Sequence, residues 1–221
     1  MIPDWREADG LAFDMDGTLW DAVDSYCAVW NRCFAEIGAE RRIERQELVE
    51  CMGMQLIDIL HLLTKECPVG DGDDEAFLQL VAQREVEMMP QLGGKAYAGV
   101  KEGIRRLSEH YPVFLLSNCG VDGLNVMMDC VGIRQYISEA VTYGATKVSK
   151  CDNLLAIARR NHLQRLVYVG DTDGDCRQTH AAGLPFVFAS WGFGNCDDAD
   201  LRVDSFQQLT DIFINLKKNE K

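Results

Sequence analysis

The stretch Phe13-Asp14-Met15-Asp16-Gly17-Thr18-Leu19 is the part of the chain that decides the fold. The apolar residues Leu11–Phe13 are typical of the end of a buried strand, and two aspartates follow directly. Carboxylates this close repel, and each disfavours ionisation of the other. A hard cation such as Mg²⁺ removes that conflict, because it prefers oxygen ligands. The pattern predicts a metal-assisted aspartate that attacks phosphorus, although Asp and Gly are also common in simple turns.

A second acidic cluster, Gly170-Asp171-Thr172-Asp173-Gly174-Asp175, follows another apolar run at Leu166–Val169. We expect Asp171 to share a metal with Asp14. Asp175 lies one helical turn further on, where it can orient neighbouring groups. Capping of the next helix by Thr172 or Asp173 is an alternative role, but capping does not require so many carboxylates.

Two weaker patterns lie between these clusters. The apolar run Val113–Leu116 ends in Ser117 and Asn118, and a hydroxyl and an amide there can hold a phosphoryl oxygen. Lys147 and Lys150 come just before a helix that we expect to begin at about residue 152. A lysine in this place can neutralise an attacking carboxylate and the transferred group. Neither pattern decides anything alone, because Ser-Asn turns and solvated lysines are common.

Strand-like apolar runs alternate with helix-like segments along the chain. We expect strands at Leu11–Phe13, Val113–Leu116, Glu139–Thr142, Leu166–Val169 and Pro185–Ala189. We expect helices at about 99–110, 122–131, 152–161, 175–182 and 205–217. This alternation predicts an α/β fold with a doubly wound, Rossmann-like parallel sheet. Such sheets bind ligands beyond the carboxyl ends of their strands, and Asp14, Ser117 and Asp171 all fall at those ends.

The long segment between the first two core strands is too long for a loop without structure. Apolar residues at helical spacing predict helices at about 23–37, 56–63 and 77–88, with a polar break at 68–74. Pro90 and the pair Gly93-Gly94 are expected to end the last helix and return the chain to the sheet. We therefore expect a helical domain at residues 21–90, inserted into an α/β core formed by residues 1–20 and 91–221.

The composition limits the partners. The 221 residues are 47% hydrophobic, which supports a sizeable core, and the net charge of −13 argues against nucleic acid. Nine scattered cysteines without a CxxC pair favour reduced thiols. We find no pattern typical of a signal peptide or a membrane span. We expect a cytoplasmic protein, monomeric or weakly dimeric, without nucleic-acid or membrane partners.

Together these elements resemble the haloacid dehalogenase superfamily of phosphohydrolases, over essentially the whole chain. The stretch Asp14-Met15-Asp16-Gly17-Thr18 matches the family's DxDGT motif, and residues 170–175 match its GDxxxD motif. Ser117 matches the second motif, and a lysine near 150 matches the third, although the usual KPxP form is absent. The residues from Lys150 onward and the loop at 189–194 resemble phosphoglycolate-phosphatase-like members. The helical insertion resembles the family's small C1-type cap.

The resemblance implies the catalytic and metal-binding roles. Asp14 is the nucleophile and a Mg²⁺ ligand. Asp16 is the general acid–base, and its backbone carbonyl also binds the metal. Asp171 is the remaining metal ligand, with Asp175 in support, and Lys150 stabilises the charge of the transferring group.

The resemblance also implies the substrate contacts. Ser117 binds the phosphoryl group, with Thr18 and Asn118 beside it, and Lys147 remains the alternative to the lysine at 150. In the cap, Gly53 is the candidate for contact with the organic part of the substrate.

The expected function is Mg²⁺-dependent hydrolysis of a small phosphorylated metabolite through an aspartyl-phosphate, with phosphoglycolate as the best guess by resemblance. A phosphosugar mutase of the β-phosphoglucomutase type shares every core residue and stays open. A dehalogenase needs neither Asp16 nor Asp171, and a phosphonatase needs a cap lysine, for which only Lys65 is available. A non-catalytic binding protein is disfavoured, because Asp14 and Asp16 are both present.

Overall fold

The computed structural model of the chain describes residues 2–65 and 74–219, so the expected polar break at 68–74 lies almost wholly outside the described residues. Six parallel strands form the main sheet, and helices cover both of its faces. The prediction of a Rossmann-like α/β fold is confirmed. The strands are β1 (Gly10–Phe13), β2 (Trp20–Asp21), β3 (Lys95–Ala96), β4 (Val113–Ser117), β5 (Glu139–Thr142), β6 (Leu166–Gly170), β7 (Phe186–Ala189) and β8 (Leu201–Val203).

The helices follow the expected alternation with the strands. They are α1 (Val23–Glu36), α2 (Arg45–Val49), α3 (Leu56–Leu63), α4 (Asp74–Leu92), α5 (Val100–Ser108), α6 (Gly123–Val131), α7 (Tyr143–Thr146), α8 (Lys150–Arg160), α9 (Asp173–Ala181) and α10 (Phe206–Asn219). Among the described residues, no helix is both long enough and apolar enough to cross a membrane.

The strand order explains why distant motifs meet. The sheet runs β5-β4-β1-β6-β7-β8, so β1 lies between β4 and β6. Phe13 at the end of β1 pairs with Leu115 of β4 and with Val169 of β6. The amide of Asp14 then donates to the carbonyl oxygen of Val169 at 2.9 Å. The residues that follow these three strands therefore lie side by side at one edge of the sheet.

Both faces of the sheet are buried, which explains the nearly continuous apolar runs of the strands. Side chains alternate between the faces. Leu11 and Phe13 belong to a core shared with α5, α6 and α10, whereas Ala12 belongs to a second core beneath α8 and α9. The rings of Phe13 and Phe206 lie 5.7 Å apart between their centroids, which fixes α10 against β1.

Helices α1–α4 are inserted between β2 and β3, two short antiparallel strands through which the chain leaves and rejoins the core. They have apolar contacts of their own. Phe34 of α1 stacks on Phe77 of α4 with 5.0 Å between ring centroids. At the surface, the Arg84 guanidinium donates to Glu36 Oε2 at 2.7 Å and ties the same two helices together.

The boundaries of two helices differ from the predicted ones. Helix α4 runs to Leu92, so Pro90 lies inside it instead of ending it. Proline removes one backbone donor, but Gly93 still closes the last turn by donating from its amide to the carbonyl of Met89 at 2.8 Å. Helix α8 begins at Lys150 rather than at about 152, because the Ser149 side chain caps it.

Candidate active site

Three polar side chains follow the central strands β1, β4 and β6. Asp14, Ser117 and Asp171 are each at most 5% exposed. They come from residues far apart in sequence, and the strand order alone brings them together. The carboxyl edge of the sheet is therefore the place of the candidate site, as the sequence predicts.

The loop after β1 directs its two aspartates to different neighbours. Asp16 accepts a hydrogen bond at Oδ1 from the indole of Trp20 at 2.9 Å, and Tyr26 of α1 donates to its Oδ2 at 3.5 Å. Asp14 instead points toward the core. Gly17 makes the turn possible, because its φ is +82° and a β-carbon there would collide with the Asp171 carboxylate.

The asymmetric environments of the two aspartates raise both pKa values. Burial raises the pKa of Asp16 well above its usual value, and the charge of Asp14 adds to the rise. Burial also raises the pKa of Asp14, to about 6, although the ammonium of Lys150 opposes it. A raised pKa suits Asp16 to hold and release a proton.

Lys150 is the lysine at the site. Its side chain is buried, and its Nζ lies 3.0 Å from Asp14 Oδ1 and 2.5 Å from Asp175 Oδ1. Burial lowers the pKa of Lys150, but the two carboxylates outweigh that effect and the net shift is upward, so the ammonium stays charged. Lys147 is exposed and lies over the ring of Tyr143.

Three buried carboxylates form a cluster below this lysine. Oxygens of Asp14, Asp171 and Asp175 lie within 4.8 Å of one another. Burial raises the pKa of Asp171 well above its usual value, and the charges of Asp175 and Asp14 add to it. One ammonium does not balance three carboxylates, and all three offer hard oxygen ligands. The donor set therefore fits a divalent cation of the Mg²⁺ type.

The oxygens of Asp175 already have partners. Oδ1 accepts from Lys150, and Oδ2 accepts from the amide and hydroxyl of Thr172 at 3.2 and 2.7 Å. These contacts form a capping box at the start of α9. Thr172 caps α9, so the alternative role of the acidic cluster is present as well. Asp175 thus holds Lys150 and the loop of Asp171 in place.

Asp171 is held by the loops around it. Its Oδ2 accepts from the amide of Phe193 at 2.7 Å, and its Oδ1 accepts from the hydroxyl of Thr18 at 3.4 Å. Thr18 is fully buried and does not line the cavity above the site, so the structure does not bring it to the expected phosphate contact. Ser117 and Asn118 do line that cavity.

Tyr168 is a polar contact of Asp14 that the sequence analysis did not identify. Its hydroxyl lies 3.2 Å from Asp14 Oδ1 and 2.8 Å from the carbonyl oxygen of Leu116. Its ring lies 5.1 Å from the ammonium of Lys150. In the sequence it is one more apolar-looking residue of β6. The alternation of strand side chains places it on the same face as Ala12, beneath α8, and that position is the only signal for it.

A cavity of about 160 Å³ lies above Asp14 and Asp16, between the core loops and the inserted helices. The side chains of Tyr26, Trp30 and Glu85 line it from α1 and α4. The Asn118 amide donates across its edge to the carbonyl oxygen of Gly53 at 2.9 Å. Gly53 lines the cavity as well, with a φ of +85° and with Thr172 beside it.

Comparison with known proteins identifies the family. A sequence model described as haloacid dehalogenase-like hydrolase matches residues 11–189. The chain belongs to the haloacid dehalogenase-like hydrolases. The predictions of this family and of a hydrolase are therefore confirmed.

Individual relatives agree with the family assignment. A phosphoglycolate phosphatase of Cereibacter sphaeroides is 28% identical over 87% of this chain and 89% of its own length. One of Chromobacterium violaceum is 23% identical over 95% of this chain and 98% of its own. These curated relatives match the haloacid dehalogenase-like chain over nearly its whole length.

Solved structures share the fold. A "predicted phosphoglycolate phosphatase" of Haemophilus somnus superposes with a TM-score of 0.81 at 17% identity, over 93% of this chain and 97% of that one. The structure of CbbY from Rhodobacter sphaeroides with phosphate gives a TM-score of 0.80 at 17% identity, over 91% and 96%. At these identities the superpositions establish the haloacid dehalogenase-like fold alone.

Proposed function

We propose that this protein is a Mg²⁺-dependent phosphomonoester hydrolase that acts on a small organic phosphate through an aspartyl-phosphate. The observation that carries the proposal is the contact of Lys150 Nζ with Asp14 Oδ1, at 3.0 Å, beside a second carboxyl group that faces the cavity. A buried ammonium beside one carboxylate suits a nucleophile that receives an anionic group. A raised-pKa carboxyl nearby suits an acid–base.

The first step forms the phosphoenzyme. A carboxylate oxygen of Asp14 attacks phosphorus, and the bond between phosphorus and the leaving-group oxygen breaks. Asp16 gives its proton to that oxygen, so an alcohol leaves rather than an alkoxide. Ser117 lines the cavity next to Asp14, where its hydroxyl is suited to bind a phosphoryl oxygen.

The second step releases phosphate. Asp16, now ionised, takes a proton from water, and the water oxygen attacks phosphorus. The bond between phosphorus and Asp14 breaks, which regenerates the carboxylate and frees inorganic phosphate. Trp20 and Tyr26 hold the Asp16 carboxyl through both steps by their hydrogen bonds to its two oxygens.

Asp14, Asp171 and the backbone carbonyl of Asp16 are the proposed ligands of Mg²⁺, with Asp175 in support. When bound, the ion neutralises charge on the phosphoryl group and the carboxylates. Lys150 adds a fixed positive charge at the same place, and Asp175 keeps its ammonium oriented.

The inserted segment 21–90 is proposed as the cap that covers the site. The cavity is lined from both the core and the inserted helices, and the Asn118–Gly53 hydrogen bond joins the two across its edge. A closed cap keeps bulk water from the phosphoenzyme. A cavity of about 160 Å³ favours small metabolites over phosphoproteins. The curated relatives suggest phosphoglycolate as one candidate.

The direct test measures phosphate release from a panel of small phosphate esters with and without Mg²⁺, for the wild type and for Asp14→Asn. The exposed Asp197→Asn is the matched control. We expect release that needs Mg²⁺, loss of nearly all turnover in Asp14→Asn, and normal turnover in the control. Retention of a phosphorylated product in place of free phosphate would instead indicate a mutase.

A further inference from the structure

The cavity above the catalytic aspartates contains no positive charge for the leaving group. None of the described residues that line it is a lysine, an arginine or a histidine. The segment 66–73, which lies outside the described residues, has no basic residue in its sequence either. Lys150 is the nearby cation, but it is engaged with Asp14 and Asp175 below the phosphate position.

Glu85 is the charged group that the inserted helices present to this cavity. It lies on α4, and its Oε2 is 3.7 Å from the position that a β-carbon on Gly120 would take, so it faces the core loop after β4. In the part of the chain that the structure describes, its carboxyl group has no hydrogen-bond or ion-pair partner. Burial raises the pKa of Glu85 to about 7.

The rest of the inserted wall is apolar and aromatic. Trp30, Leu56 and Val86 line the cavity beside Glu85, and Tyr26 lies between it and Asp16. Aromatic rings and a lone carboxylate attract an ammonium group, and a carboxylate also accepts a hydrogen bond from a hydroxyl. A second carboxylate in this place would face Glu85 and Asp16 without a compensating cation, which costs free energy in a poorly solvated site.

We propose that the leaving group is a small alcohol with an apolar carbon skeleton and a hydrogen-bond donor, either an ammonium or a hydroxyl group, that binds Glu85. The inference rests on the proposed phosphatase function and deepens it. It makes Glu85 the residue that determines specificity, and it disfavours 2-phosphoglycolate, whose leaving group carries a carboxylate.

The test compares esters that differ in one group. The kcat/KM values of 2-aminoethyl phosphate, 2-hydroxyethyl phosphate and 2-phosphoglycolate are measured with Mg²⁺, and p-nitrophenyl phosphate reports phosphatase activity independently of the donor group. We expect at least one of the two donor-bearing esters to exceed 2-phosphoglycolate by at least about tenfold. Preference for the ammonium ester over the hydroxyl ester assigns the donor.

Variants locate the effect at Glu85. Glu85→Gln should reduce the advantage of the preferred ester, and most strongly if that ester carries the ammonium. Glu85→Lys should shift the preference toward 2-phosphoglycolate. The same two changes at Glu75, which is exposed on the same helix, should leave the ranking as in the wild type. The wild-type ranking is a test in itself if a Glu85 variant fails to fold.

The outcomes separate the two proposals. No turnover of any ester, p-nitrophenyl phosphate included, would overturn the phosphatase function itself. Turnover of p-nitrophenyl phosphate with a preference for 2-phosphoglycolate would overturn the inference on the leaving group and leave the phosphatase function standing. A ranking that is the same in both Glu85 variants as in the wild type would also overturn it.

Discussion

The ammonium of Lys150 lies 3.0 Å from Oδ1 of Asp14, although 136 positions separate the two residues in sequence. The pair is buried, and Asp175 holds the same ammonium from its other side. This contact connects the start of α8 with the end of β1, and it places a fixed positive charge beside the proposed nucleophile.

Replacement of this lysine tests its role. Lys150→Met should lower kcat/KM by at least about 100-fold, because the phosphoryl charge loses a fixed partner. It should also lower the free energy of unfolding by about 3 kcal/mol in the absence of metal, since buried carboxylates lose their ion pair. Urea denaturation and steady-state kinetics measure the two effects. The exposed Lys147→Met is the control, and equal effects of both variants would contradict the assignment.

Tyr168 is expected to position Asp14 rather than to touch substrate. Tyr168→Phe removes the hydroxyl that contacts Asp14 Oδ1 and leaves the ring in the core. We expect kcat to fall about tenfold with KM nearly unchanged, because the nucleophile is less well oriented. Steady-state kinetics beside the control Tyr136→Phe decide the matter. A changed KM at constant kcat would point to a substrate contact instead.

Metal binding should be visible in stability as well as in activity. Mg²⁺ relieves repulsion among Asp14, Asp171 and Asp175, and it binds only the folded chain, so saturating Mg²⁺ should raise Tm by several degrees. Asp171→Asn should abolish most of that rise. Thermal unfolding with Mg²⁺ or with a chelator is the measurement. An identical Mg²⁺ response in Asp171→Asn would place the ion elsewhere.

Glu85 should make stability depend on pH. Burial raises its pKa from 4.5 to about 7, so the folded chain binds this proton more tightly than the unfolded chain. The stability that it contributes is complete below pH 4.5 and is lost as the pH rises through about 7. Glu85→Gln does not titrate. Relative to the wild type it should therefore gain free energy of unfolding over this range, by about 2 kcal/mol after allowance for partial exposure.

Urea denaturation at a series of pH values measures this difference. Glu75→Gln on the same helix should follow the wild type at every pH. If Glu85→Gln also ran parallel to the wild type, the buried environment of Glu85 would be wrong.

Much of the core site could be predicted, because its chemistry is written at strand ends. Asp14, Ser117 and Asp171 each follow an apolar run, and parallel strands bring such ends to one edge of the sheet. The two lysines of the third motif were not separable in sequence, because both lie near the start of one helix. Burial distinguishes them, and burial depends on how α8 packs against the sheet.

The remaining features depend on tertiary contacts that no local pattern contains. Strand β8 and helix α2 have only 3 and 5 residues, too short for a period to appear. Pro90 indicated a helix end, but α4 continues through it. Tyr168 and Glu85 gain their meaning only from what surrounds them, a nucleophile in one case and an apolar cavity in the other.

The central claim is that Asp14 carries the phosphoryl group during turnover. The most direct measurement uses Asp16→Asn, in which the base for hydrolysis is missing, with p-nitrophenyl phosphate and Mg²⁺. The reaction is quenched in acid, and the intact protein and its peptides are analysed by mass spectrometry. We predict one added phosphoryl group, located on the peptide that contains Asp14 and absent from the double variant with Asp14→Asn. Stoichiometric p-nitrophenol release without any covalent phosphoryl group on that peptide would contradict the account and favour direct attack by water.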